Sequence, residues 1–161
     1  MTNPHRVAVS RVVDVPPSTV FRLVCDPKIQ VEIDGSGMLQ AAPDSTCLAA
    51  VGDTFEMEMD REPLGDLPMG KYKALNTVTR IVPDTLLEWN VGSKERGAFG
   101  HVYGWEMAAL DENQTEVSNY CDWTNTPEKA RDKFPIVPKE MMERSVENLV
   151  ALIARHRDGE R

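Results

Sequence analysis

A chain of 161 residues with 41% hydrophobic and 27% charged residues has an ordinary globular composition and fits one domain, 1–161, better than two. A net charge of −8 repels phosphate backbones and anionic headgroups, which argues against nucleic-acid binding. No apolar run approaches spanning length, and the N-terminal MTNPHRVAVSRVV lacks a signal-peptide core, so a cytoplasmic protein without membrane insertion is expected.

In chain order, residues 6–14 are β-branched and alternate as a strand does. Pro16-Pro17-Ser18-Thr19 opens a short helix carrying Val20, Phe21 and Val24, because proline is tolerated in a first helical turn. Asp26-Pro27 ends it, and a second short helical piece covers 28–33. Then comes EIDGSGML, the only Gly-x-Gly in the chain. A phosphate loop needs a strand before its glycines and a helix after them; here the order is reversed and no Lys-Ser/Thr follows. The stretch reads as a turn into a strand that starts near Met38.

Residues 53–60 alternate: Phe55, Met57 and Met59 face one way, and Glu56, Glu58 and Asp60 the other. A turn-rich loop leads to a strand over 72–82. Trp89 stands with Leu87 and Val91 on the next, and a glycine-bearing loop covers 92–100. His101, Tyr103, Trp105 and Met107 share one face of the strand over 101–110. Across a hairpin turn, Thr115, Val117, Asn119, Cys121 and Trp123 share a face, while Glu116, Ser118, Tyr120 and Asp122 take the other. The chain ends in its longest helix, where Met142, Val146, Leu149 and Ile153 form one apolar stripe. The class is α+β: a curved antiparallel sheet wrapped around that helix.

This order resembles the START/SRPBCC superfamily, closest to its polyketide cyclase/dehydrase-like branch. The likeness is carried by VDVPPSTVFRLVCDP, GWEMAALDENQTEVSNYCDW and MMERSVENLVALIA, and by Pro16, Val20, Trp105 and Thr115-Glu116-Val117 within the wider pattern. Many relatives carry a Trp where this chain has Ile33. The resemblance implies a helix-grip fold with a hydrophobic cavity between sheet and long helix. It transfers no single function, since members include carriers, receptors and cyclases.

The residues expected around such a cavity are the inward Phe55, Met57 and Met59, then Trp89, Tyr103, Trp105 and Met107, then Asn119, Cys121 and Trp123, and from the helix Met142, Val146 and Leu149. Methionines suit an irregular volume, or plain core filling. Asn119 and Cys121 offer an amide and a thiol to a ligand's polar end, or are a satisfied core amide and an inert buried thiol. His101 and Tyr103 are candidates for acid–base chemistry on a carbonyl substrate, but the favoured reading leaves His101 solvated at the end of its strand. Three histidines without ligand spacing and three scattered cysteines indicate no metal site, no disulfide framework and no cofactor. The expected function is a carrier or sensor of a small hydrophobic molecule. Alternatives are a cyclase or dehydratase acting on a poly-carbonyl chain, and a protein-interaction module using the acidic outer sheet face.

Overall fold

The computed structural model describes residues 3–159, so the ends of the 1–161 span lie outside the described residues. The strands are β1 (Arg6–Val13), β2 (Leu39–Ala41), β3 (Thr54–Asp60), β4 (Lys71–Val82), β5 (Leu86–Ser93), β6 (Gly97–Asp111) and β7 (Gln114–Asp122). The helices are α1 (Pro17–Val24), α2 (Pro27–Ile33), the short α3 (Glu128–Arg131) and α4 (Lys139–Gly159). All seven strands form one antiparallel sheet in the order β1-β7-β6-β5-β4-β3-β2. From β2 to β7 the sheet is a meander, and β1 closes the far edge against β7.

The local reasons follow the sequence. Pro17 starts α1 without wasting an N–H, and the Asp26 carboxylate caps α2 by accepting from Lys28 N. The stripe on α4 is buried along its length, with Val146 and Leu149 sealed and Leu152 added to the expected set. Burying each such aliphatic side chain contributes about 1.5–3 kcal/mol. The helix packs against β1, β7 and α2. It therefore covers one side of the sheet's concave face and leaves the inner faces of β3–β6 to be covered by other means.

Two features differ from the sequence expectation. The glycine-bearing segment before His101 is largely strand: β6 begins at Gly97, and only 94–96 turn. Its register against β5 passes from Asn90↔Val102 to Gly92↔Ala98, so β6 holds a bulge centred near Gly100, which has φ +109°. The second concerns the outer face. Tyr120 lies on the parity expected to be solvated, yet it is wholly buried there. It crosses Gly104, its partner in register, where a Cβ would meet the ring at 2.3 Å. Its hydroxyl donates to Glu88 Oε1 at 2.7 Å, and the Arg6 guanidinium covers the ring at 3.9 Å.

Candidate functional site

The uncovered part of the concave face borders a cavity of about 530 Å³. Its sheet wall comes from the inward rows Met57–Met59, Tyr72–Ala74–Asn76, Trp89–Val91 and His101–Tyr103–Trp105, with Asn119 from β7. The opposite wall is Met142 and Ser145 of α4, Gln30 and Ile33 of α2, and Ile136–Val137 from the segment before α4. Size and lining match a small-molecule pocket, mostly apolar with a few polar groups.

The EIDGSGML turn builds the joint between α2 and α4. A Cβ on Gly35 would meet the Met141 carbonyl oxygen at 2.4 Å, so the turn lies directly on the helix backbone. Gly35 N donates to Ser145 Oγ at 2.8 Å, Arg144 Nη1 donates to the Gly35 carbonyl, and Asn148 Nδ2 donates to that of Ile33. The Asp34 carboxylate accepts from Ser36 N and Leu39 N. These amides are thus engaged by protein groups, which is how a structural turn differs from an anion cradle.

Of the residues expected at the cavity, Met57, Met59, Trp89, Tyr103, Trp105, Asn119 and Met142 line it, as does His101. Phe55, Met107, Cys121, Trp123, Val146 and Leu149 belong to the packed core instead. For Met107 and Cys121 the reason is the helices: α4 packs on β1 and β7 and α1 on β5, β6 and β7, and inward residues beneath them are core. Trp123 is stacked on Phe134 at 5.8 Å, and Phe55 meets the edge of Trp89 at 5.9 Å. Missing from the sequence reading are Tyr72, Asn76 and Arg61. The alternation of β4 could have pointed to the first two; Arg61 lies in the irregular connection after β3 and carries no periodic signal.

His101 is not solvated. It is 5% exposed, enclosed by Phe134 at 4.8 Å, Tyr103 at 5.7 Å and Phe99 at 6.4 Å between ring centroids. The bulge explains the error: the strand continues past Gly100, whose backbone packs on Asn125 and Thr126, and folds the imidazole under cover. His101 Nδ1 and Thr126 Oγ1, on the two sides of that contact, are buried without a hydrogen-bond partner among the described residues. Burial holds the imidazole pKa down at about 4, so the ring is neutral at pH 7.

Tyr103 is half-buried, and it lines the cavity. Burial, and next the Cys121 thiol beside it, hold its hydroxyl pKa well above the ordinary value, so it remains a donor. Asn119 Nδ2 donates to the Gly104 carbonyl at 3.0 Å. Burial pushes the Cys25 and Cys121 thiols up to about 12, the range of inert sulfur.

At another part of the wall stands Arg61, 8% exposed. Its Nε and Nη2 donate to the two oxygens of Asp66 at 2.8 and 2.7 Å. That bond holds the Asp66 carboxyl down at about 2. Asp66, and also the neighbouring Tyr72 hydroxyl, favour the charged guanidinium against its burial.

The architecture identifies the fold. A seven-stranded antiparallel meander, closed by β1 and packed on one long C-terminal helix with a cavity between them, is what the resemblance implied. The chain has the helix-grip fold. Protein NE0264 from Nitrosomonas europaea matches this helix-grip chain with a TM-score of 0.68 at 15% identity, over 98% of this chain and 99% of that one. Norcoclaurine synthase of Thalictrum flavum, a point mutant in complex with a transition-state analogue, matches at a TM-score of 0.63 and 9% identity, over 94% and 95%. In sequence, the uncharacterized protein Rv0088 of Mycobacterium tuberculosis is 31% identical over 120 residues, 74% of this chain and 48% of its own length. The chain spans about half the length of the curated relatives it matches. No family model matches it. Among the described residues no helix is long and apolar enough to cross a membrane.

Proposed function

We propose that this helix-grip protein binds a small hydrophobic molecule in the cavity between its sheet and α4, as a carrier or sensor. The observation that carries the reading is a cavity of about 530 Å³ walled by aromatic and methionine side chains and dotted with a few polar groups. Enclosing a drug-sized apolar molecule in such a space removes it from water, and the gain scales with the area covered.

The polar pair speaks for binding over acid–base catalysis. A general base works best with a pKa near the operating pH. His101, at about 4, is a poor base at neutrality, and Tyr103, held well above the ordinary tyrosine range, is a hydrogen-bond donor that does not ionise. Together they are fitted to orient a ligand oxygen. Native mass spectrometry of freshly expressed protein tests the reading. A co-purified small molecule, released on unfolding, is the expected result; an apo mass that stays unchanged across a panel of fatty acids, sterols and aromatic polyketides contradicts it.

A further inference from the structure

Arg61 is the one buried arginine among the described residues, and it borders an apolar cavity. Burying a guanidinium is costly unless its donors are met. Asp66 meets only one edge. A guanidinium has five N–H groups, and the side-on pair with Asp66 uses Nε–H and one N–H of Nη2. The end-on fork, the second N–H of Nη2 with those of Nη1, meets no carboxylate or carbonyl within 3.5 Å among the described residues; the Tyr72 hydroxyl is the protein group nearby. That fork has the spacing of a carboxylate.

The surroundings suit an anion. The Tyr72 hydroxyl stands beside the guanidinium, and Tyr72 and Arg61 both lie near enough to Tyr103 to bear on its hydroxyl. Asp66 does not line the cavity, and its side chain is 43% exposed, so water screens its charge from within. The charged side chains on the wall are Arg61 and Arg96 against Asp34 and Glu95; Lys73 borders the cavity but turns its amine outward to Glu56, and Asp34 is engaged inside its own turn. In a chain of net charge −8 the wall is thus close to neutral, with Arg61 its one buried cation.

We infer that the ligand is an amphipathic carboxylate, its apolar body against Trp89, Trp105 and Met142 and its head on the end-on fork of Arg61. This rests on the reading of the cavity as a binding site and adds the chemical class of what enters it. The test compares laurate with dodecanol, equal in chain length and different in the head, by titration of tryptophan emission. Laurate is expected to bind at least tenfold more tightly, and Arg61→Met to erase that preference while moving the dodecanol affinity less than threefold. Equal affinities in the wild type, or a preference that survives in Arg61→Met, overturn the inference and leave the cavity reading standing. Binding of neither probe overturns both. If Arg61→Met does not fold, carboxyl-¹³C laurate on the wild type decides. Its bound carboxyl is expected to stay ionised to a lower pH than in free laurate; titration at the same pH or higher contradicts the assignment.

Discussion

His101 shows what one residue's surroundings do. Its imidazole is neutral because charging it would strip water from an ion among three aromatic rings. The unfolded chain binds that proton near 6.5 and the folded one near 4, so the unfolded state holds more protons between those values and stability falls as pH falls through that window. At 1.36 kcal/mol per pH unit the loss amounts to about 3 kcal/mol by pH 4. Urea unfolding at pH 7.5, 5.5 and 4.5 should show this decline, and His101→Phe should flatten it. An unchanged slope in the variant would mean that other groups carry the pH dependence. His101 was visible in the sequence as an inward residue, but its burial was not, because a bulge two residues deep has no signature in an alternation count. Arg61 was invisible for a related reason: it sits outside every periodic element, and only the folded chain brings it to the cavity wall.

At the scale of elements, α4 and the EIDGSGML turn seated on it were the most legible parts. The spacing of Met142, Val146, Leu149 and Ile153 admits one buried face only, and that face is buried. Leu149→Ala should cost about 2–5 kcal/mol in chemical denaturation. A loss under ~0.5 kcal/mol would mean that the helix–sheet seam is loosely packed there. Gly35 tests the joint between α2 and α4. A methyl group there must push into helix backbone, and overpacking of that kind costs about 1–3 kcal/mol, so Gly35→Ala should lower stability by at least the smaller figure. If the variant unfolds at the wild-type denaturant concentration, the turn is not seated on α4 as described. The sheet's outer face was read less well. Its acidic row is laced with cations: Glu106 pairs with Arg6 at 2.7 Å, and Glu56 with Lys94 at 3.1 Å. Tyr120→Phe removes one hydrogen bond from the nearly buried Glu88, whose other carboxylate oxygen accepts from Thr79 Oγ1. It should cost about 1–3 kcal/mol, and near-neutrality would show that water replaces the hydroxyl.

For the whole molecule, the link from sequence to function runs through a mismatch of coverage. The concave face is seven strands wide, and among the described residues one long helix lies on it. Where α4 or α1 lies on the sheet, inward residues such as Cys121 and Met107 are core; where neither does, the same parity can line a cavity. Sequence periodicity reports inward or outward and nothing about which inward residues have a neighbour opposite, so Phe55, Met107 and Trp123 read like Met57, Trp105 and Trp89. The tryptophans make that division measurable. Trp89 and Trp105 line the cavity, while Trp123 is stacked on Phe134 away from its wall. The most direct test is a titration of tryptophan emission with fatty acids, sterols and aromatic polyketides in the wild type, Trp105→Phe and Trp123→Phe. At least one compound should change the wild-type emission saturably, and the change should shrink in Trp105→Phe and persist in Trp123→Phe. No response to any compound, or a response lost only in Trp123→Phe, would contradict a ligand held between the sheet and α4.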